Sequence, residues 1–274
     1  MLRLVPTPIG NIGDITFRSL EAFENAEMIL CEDTRVTKRL LHLLSERYDF
    51  FTPPDARFVS FHEHNGYERL EEIGESLESI ETVFVSDAGM PVISDPGRVL
   101  VEYCIENHIE YDILPGASAS VTAYAASGFG RGKFLFLGFL QKKGSDRRRE
   151  LRRAMESGND LILYEAPHRL IDLLGEIEKI DPDREIFTAK EMTKRYQRYH
   201  RFRAGDFREY FPSDSVVRGE WVVVVEGIDT KSNGVDLTVI LEADLPPKAK
   251  AKLLAKLTGE SVSSWYEKIG GRGG

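Results

Sequence analysis

Two hydrophobic periods alternate along this chain. Short apolar runs closed by Gly, Pro or Asp read as buried strands, and stretches in which apolar residues return every three or four positions read as amphipathic helices. In the first half, strands are expected at Leu2–Val5, Glu27–Cys31, Arg57–Phe61, Thr82–Ser86 and Tyr111–Leu114. Between them fall helical patterns: one after Thr16 or Asp14 with Phe17, Leu20 and Phe23 on one face, then Val36–Leu44, Tyr67–Ile80 and Gly97–Asn107. Strand and helix in strict alternation imply a mostly parallel sheet with helices on both faces. The pattern changes after a helix of small residues, Ser118–Ser127. Strands Phe134–Leu137 and Leu161–Tyr164 flank a basic helix at Ser145–Met155, a helix follows at His168–Ile180, and β-rich runs occupy Glu185–Lys190, Tyr196–Arg203 and Glu220–Val225. That order predicts a second, mixed sheet. Beyond it, Pro246-Pro247 breaks the chain and two short helices follow, Lys248–Leu257 and Ser261–Ile269. The expected organisation is an α/β chain of two domains, 1–117 and 118–228, with a small helical appendage over 229–274.

In a parallel sheet every strand ends on the same edge, and ligands bind in the crevice outside it. Three unusual corners fall at such ends: Val5 leads into Pro6–Asn11, Val85 into Ser86–Gly97, and Leu114 into Pro115–Ala119. All are rich in Pro, Gly, Ala and Ser, which let backbone amides come close to a ligand. Their convergence favours one small-molecule site over three separate turns. No Walker loop is present, and no Gly-x-Gly-x-x-Gly follows the first strand, so a dinucleotide oxidoreductase loses its main support. Gly128-Phe129-Gly130-Arg131-Gly132 precedes a strand and opens no helix.

Charge adds a second theme. The net charge of −9 argues at first against a nucleic-acid partner. The cations are concentrated, however. Residues 142–153 hold seven basic groups against two acidic, and residues 190–203 six against one; the rest of the chain carries a net −19. Concentrated basic patches suit phosphate backbones, although a solvated helix or strand face fits the same composition. Two cysteines, Cys31 and Cys104, leave no disulfide framework and suit a reducing compartment. The N-terminus lacks a basic segment followed by a long apolar run, and no apolar stretch approaches membrane-spanning length. A cytoplasmic protein without a membrane anchor is therefore expected.

Five strings carry a family resemblance: Val-Pro-Thr-Pro-Ile-Gly-Asn (5–11), Cys-Glu-Asp-Thr-Arg (31–35), Ser-Asp-Ala-Gly-Met-Pro-Val-Ile-Ser-Asp-Pro-Gly (86–97), Leu-Pro-Gly-Ala-Ser-Ala (114–119) and Tyr-Glu-Ala-Pro-His-Arg-Leu (164–170). In this order they resemble the bacterial 16S ribosomal RNA cytidine 2′-O-ribose methyltransferases, a branch of the tetrapyrrole-methylase superfamily. The likeness covers residues 2–226, and its most specific part is 86–97. It implies a two-domain fold of the tetrapyrrole-methylase kind that binds S-adenosylmethionine in its cleft, as a homodimer. By position, the cofactor contacts carry over to Pro8, Asp87, Ala88, Gly89, Val92, Ile93, Ser94, Ser118 and Ala119, and more weakly to Tyr164 and the Gly219-Glu220 region. Tetrapyrrole-modifying relatives have Gly-Asp-Pro where this chain has Ala88-Gly89-Met90, a departure that favours the RNA-modifying branch. The implied target is the ribose of a decoding-centre cytidine, conventionally numbered 1402, in 16S RNA or the small subunit. A corrinoid or porphyrin methyltransferase and a non-catalytic ribosome-assembly factor are the alternatives.

Methyl transfer to a ribose hydroxyl requires alignment, exclusion of water and removal of one proton. Glu32, Asp33 and Arg35 follow a strand that should reach the ligand edge; a carboxylate there is either a base or half of an ion pair that fixes the loop. His62 and Glu63 follow another such strand, as base, substrate contact or loop, and their neighbourhood has no metal-ligand spacing, so no metal is expected. Glu165 and His168 flank Pro167, where capping is the plain alternative. Lys190 could steady developing negative charge or a phosphate. For RNA, the expected surface is Arg147, Arg148 and Arg149 on the basic helix, with Arg195, Tyr196, Arg198 and Tyr199, in which rings and guanidinium groups interleave as single strands demand.

Overall fold

The computed structural model describes residues 1–62, 65–93, 97–130, 132–141, 144–212, 217–228 and 237–270. Glu63 and Ser94 lie outside the described residues, as do Lys142 and Lys143 of the basic window. The chain forms two compact units, one of Met1–Met155 with Asn159–Gly227, the other of Glu156–Gly158 with Ile228–Gly274.

The larger unit contains two sheets. Strands β1 (Leu2–Leu4), β2 (Met28–Cys31), β3 (Arg57–Ser60), β4 (Thr82–Val85) and β5 (Tyr111–Ile113) make an all-parallel sheet in the order β3-β2-β4-β1-β5. The second sheet is mixed, β6 (Phe134–Phe139), β7 (Asp160–Glu165), β10 (Trp221–Val225), β8 (Glu185–Lys190) and β9 (Arg198–Arg203) in that spatial order. There β6 runs parallel to β7, and the remaining neighbours are antiparallel. This is the α/β architecture expected from the alternating pattern.

Period-two alternation sorts the cores. Leu2, Leu4, Leu30 and Phe84 point to one face of the parallel sheet, where they meet Leu70 and Ile73 of helix Gly66–Ile73 and Leu100 and Cys104 of helix Gly97–Glu106. Ile29, Cys31, Val83 and Val85 point to the other, against Phe23 and the Leu41 and Leu44 of helix Thr34–Arg47. Strands buried on both faces account for the near-continuous apolar runs. In the mixed sheet Leu161, Leu163, Val223 and Val225 pack on helices Ser145–Met155 and Leu170–Ile180. Ile162, Phe187, Val222 and Val224 face helix Ala119–Ser127 through Ala123, in a cluster that also takes in Ile9 from the loop after β1.

Two expectations are corrected. Phe17 is 88% exposed and does not share the buried face of helix Phe17–Glu24, which is Ser19, Ala22 and Phe23. The helix begins at Thr16, whose hydroxyl accepts the Ser19 amide, so Phe17 is its first residue and lies on the far side of that face. The single helix expected over 67–80 is two, Gly66–Ile73 and Ser76–Ser79, divided at Gly74, the weakest helix former of the stretch.

The smaller unit contains helices Leu237–Glu242, Pro247–Thr258 and Val262–Gly270. The Trp265 indole donates to Thr258 Oγ1 at 2.7 Å, and Lys250 donates to the Leu241 carbonyl at 2.6 Å, tying the three together. Among the described residues, no helix is long and apolar enough to cross a membrane.

Candidate functional site

Strands β2, β4, β1 and β5 are neighbours in the sheet, so the loops after them are neighbours at its edge. Thr7 and Gly89 exchange both backbone hydrogen bonds, each 3.0 Å, and the Thr7 hydroxyl donates to the Ser86 carbonyl at 3.3 Å. Gly89 has φ +84, and a Cβ there would stand 3.2 Å from a methyl of Ile9. The ring of Pro6 lies directly on Gly116. The three corners singled out in the sequence therefore meet physically. A fourth joins them: the Asp87 amide donates to Glu32 Oε1 at 3.3 Å, and the Asp87 carboxylate accepts from the backbone of Asp33.

The first loop is also seamed to the mixed-sheet half. The Asn11 amide donates to Thr193 Oγ1 at 2.8 Å, and a Cβ on Gly10 would run into the side chain of Lys194 and stand 2.8 Å from the Met192 carbonyl. Across the seam the backbone is strained, with Glu191 at φ 48 and Thr193 at φ 63, in the left-handed region that side chains resist. Hydrogen bonds hold it there. Glu191 Oε1 accepts the Glu220 amide at 2.8 Å and the Lys194 ammonium at 3.4 Å, while Thr193 donates its amide to Gln197 at 2.6 Å. The Glu220 amide and the nearby cations keep the Glu191 carboxyl below its ordinary range.

Between these loops and the ends of β7, β8 and β10 lies a cavity of about 410 Å³. Its apolar wall includes Ile9, Met90, Ile93, Phe139, Met192 and Trp221; Glu32, Asp87, Ser118, Tyr164, Glu165 and Glu220 supply polar groups. Burial raises the Tyr164 phenol above its ordinary value, and hydrogen bonding to Ser120 opposes part of that rise. Desolvation raises Asp87 likewise, with the Asp33 amide opposing it.

The expected cofactor residues Asp87, Ala88, Gly89, Ile93, Ser118, Ala119 and Tyr164 all line this cavity. Pro8 and Val92 are not among the lining residues; Val92, at φ 73, packs against the Leu70 and Leu100 side of the sheet. Of the expected catalytic residues, Glu32 is on the wall. Asp33 is instead the cap of helix Thr34–Arg47: its carboxylate accepts the Arg35 amide at 2.8 Å and the guanidinium at 3.1 and 2.7 Å. Arg35 is correspondingly an exposed partner of that cap. His62 donates its amide to the Asn65 side chain at 2.8 Å, in the turn that opens helix Gly66–Ile73. Lys190 is not among the lining residues and holds its ammonium 5.6 Å from the ring centre of Trp221. Glu63 and Ser94 lie outside the described residues.

Asp33 also yields a test by pH. Hydrogen bonds from the Arg35 side chain and backbone pull its carboxyl down to about 2. A depressed carboxyl contributes stability above its unfolded value of about 3.9, and loses it as pH falls through the folded value. Carbon-detected NMR should thus find the Asp33 carboxylate still ionised at about pH 3, where ordinary aspartates are mostly protonated. A midpoint near 4 would show that the cap does not hold its charge.

Among the RNA candidates, Arg147 is corrected. Only 3% of its side chain is exposed; its guanidinium donates to Glu165 at 3.1 Å, to Glu176 at 2.8 Å and to the Gln141 carbonyl at 3.1 Å. It faces the core side of helix Ser145–Met155 and cannot meet a polymer in solvent. Arg148 is exposed, and Arg149 is exposed but paired to Asp146 at 2.8 Å. Tyr196 and Tyr199 are 67% and 42% exposed beside exposed Arg195 and Arg198. Phe202 of the same run is buried and stacks on Tyr210.

Met192, Phe139 and Trp221 were missed. Trp221 opposes Glu165 in the β7–β10 register, so both reach the cavity from antiparallel strands. That register is long-range information, absent from any one stretch of sequence. The loop Glu165-Ala166-Pro167 after β7 gave a usable signal, a strand ending in Pro beside the string 164–170.

Comparison with known proteins places this geometry. The family model for tetrapyrrole (corrin/porphyrin) methylases matches residues 1–207. The chain is 40% identical to the Helicobacter pylori ribosomal RNA small subunit methyltransferase I over 278 aligned positions, covering 97% of this chain and 96% of that protein. It is 43% identical to the Thermotoga maritima protein of the same name, covering 82% of this chain and 98% of that one. Among solved structures, the methyltransferase CobJ superposes with a TM-score of 0.60 at 18% identity, covering 82% of this chain and 93% of CobJ. Uroporphyrin-III C-methyl transferase from Thermus thermophilus, complexed with S-adenyl homocysteine, gives 0.56 at 15% identity, covering 81% and 96%. At those identities the structures share the fold alone.

Proposed function

The chain belongs to the tetrapyrrole (corrin/porphyrin) methylases, and from that premise we propose that it uses S-adenosylmethionine to methylate the ribose 2′-hydroxyl of the decoding-centre cytidine of 16S ribosomal RNA. The observation that carries the reading is the cavity at the joined loops, walled by seven of the residues to which the family's cofactor contacts carry over. Two relatives that match most of the chain are named for small-subunit ribosomal RNA. We place the reaction in the cytoplasm, on 16S RNA or the small subunit, by a homodimer. In it residues 1–117 supply the cofactor loops, 118–228 the RNA-facing surface, and 229–274 an appendage.

The residues present suit the cofactor. Ala88, Gly89 and Ala119 are small enough for close backbone approach, Ile9, Met192 and Trp221 offer apolar surface, and Asp87 and Glu220 offer acceptors and negative charge for a cationic ligand. When bound, S-adenosylmethionine supplies an activated methyl group on a sulfonium. The protein's own part is to orient the hydroxyl, exclude water and take up its proton.

Glu32 is the residue we assign to the proton. Among the described residues, it is the expected catalytic residue that lines the cavity. Glu32 stands on the wall with one oxygen steadied by the Asp87 amide.

The test follows the label. Tritiated methyl from S-adenosylmethionine should enter small-subunit particles from cells lacking the enzyme, and should not enter a uroporphyrinogen or precorrin substrate. Replacing the target 2′-hydroxyl by hydrogen should abolish incorporation. Uptake into the tetrapyrrole, or persistent uptake into the deoxy target, would exclude the reading.

A further inference from the structure

On the other side of the Gly10–Thr193 seam from the cofactor cavity lies a second concavity, an open groove of about 640 Å³. One side is Gly10, Asn11 and Ile12 with Leu43, Glu46 and Arg47 of helix Thr34–Arg47; the other is Thr193, Lys194 and Arg195. Consecutive residues serve both spaces, since Ile9 and Met192 face the cavity while their successors face the groove.

Its charge is specific. Among the described residues Glu46 is the one carboxylate on its wall, and it stands 3.6 Å from His42. Lys194 is spent on Glu191 and Glu220. Arg47 and Arg195 are exposed, and among the described residues neither is paired with a carboxylate. Arg39, also exposed, lies two turns before Arg47 on the same helical face, with Leu43 between them. By contrast the arginines farther along β9 are already neutralised, Arg201 by Glu185 at 3.2 Å and Arg203 by Glu185 and Asp183. Tyr196 adds an exposed ring, 5.6 Å from the Arg195 guanidinium.

We propose that this groove is the docking track for a single strand of RNA, with Arg47 and Arg195 holding backbone phosphates on its two sides and Tyr196 offering a stacking face. Guanidinium groups without a carboxylate partner, on the two sides of a groove beside an exposed ring, are what single-stranded RNA binds by phosphate contact and stacking. Adjacent residues line both spaces, Ile9 and Met192 the cavity and Gly10 and Thr193 the groove, so a strand lying in it runs beside the seam that walls the cofactor cavity. This rests on the methyltransferase reading above and adds a surface to it: Arg195 and Tyr196 belong to the expected RNA surface, whereas Arg47 comes from the parallel-sheet half, outside both basic windows, 142–153 and 190–203.

The experiment uses the full chain and a fluorescein-labelled single-stranded oligoribonucleotide of about 12 nucleotides, within the range of known single-strand sites. Arg47→Gln and Arg195→Gln should each weaken binding roughly tenfold at low salt and lower the slope of log affinity against log salt by about 0.7 per cation removed. S-adenosylmethionine affinity by calorimetry and the melting temperature should be unchanged, since both side chains are exposed. Lys179→Gln, an exposed cation on helix Leu170–Ile180, should leave affinity and slope as in the parent. Unchanged affinity and slope in both arginine variants, with ribosomal RNA still methylated, would overturn the groove and leave the function standing. An equal loss in Lys179→Gln would overturn it as general charge. A parent protein that methylates no ribosomal RNA removes the function, and the groove with it.

Discussion

Arg147→Glu should destabilise the larger unit by about 3–5 kcal/mol, the cost of breaking a buried charge pair and leaving its partner unmatched. Arg147 is nearly sealed from solvent, and burial alone works against its charge; hydrogen bonds and attraction from Glu176 and Glu165 reverse that, so its basicity ends above the ordinary value. Glu165 is equally sealed and is gripped a second time by Arg169 at 3.0 Å. Arg147 and Arg169 also donate to the Gln141 and Leu140 carbonyls at the end of β6. A glutamate at 147 would set three carboxylates together in this core. For a unit of this size, a loss of 3–5 kcal/mol lowers the melting temperature by roughly 6–20 °C. Arg148→Glu and Arg149→Glu, exposed on the same helix, should stay within about 0.5 kcal/mol of the parent. Thermal unfolding by circular dichroism compares all three. A parent-like melt for Arg147→Glu would mean that the network is dispensable.

The contrast between Arg147 and its neighbours shows what the sequence could carry. Short apolar runs alternating with period-four helical patterns were enough to place the parallel sheet, because strand and helix in turn along the chain imply parallel neighbours. Loop convergence was equally legible: once the sheet is parallel, the ends after Leu4, Val85 and Ile113 share an edge by topology. Arg147 shows the opposite limit. A cluster of basic residues specifies charge, whereas which member turns inward depends on a carboxylate 18 positions away on β7. Trp221 and Met192 were hidden for the same reason, since the antiparallel register that brings Trp221 opposite Glu165 joins segments far apart in the chain. The Gly10–Thr193 seam spans 182 positions between its bonded residues Asn11 and Thr193. Gly10 reads locally as a turn glycine, yet it is needed because Lys194 and the Met192 carbonyl occupy the place of its side chain.

Glu32→Gln should leave the site assembled and remove its chemistry. The amide keeps an oxygen where Glu32 Oε1 accepts the Asp87 amide at 3.3 Å, so the joint between the loops after β2 and β4 survives. What disappears is a negative group able to take a proton. Positioned general bases contribute about 10²–10⁴ in rate, and kcat for methyl transfer should fall within that range. S-adenosylmethionine affinity should change by no more than about threefold, roughly 0.6 kcal/mol, because a single polar contact at the wall is replaced by a similar one. Asp33→Asn is the informative partner. It cuts the charge of the helix cap and its bond to Arg35, and should lower thermal stability while kcat stays within a few-fold of the parent. The pH profile separates the roles further: in the parent, kcat should rise as the base ionises, and in Glu32→Gln that limb should flatten. A Glu32→Gln enzyme with parental kcat would remove Glu32 as the base. Equal losses in kcat and cofactor affinity would make it a cofactor contact instead, and would move the proton to Asp87, the neighbouring carboxylate that desolvation makes a stronger base than an ordinary aspartate.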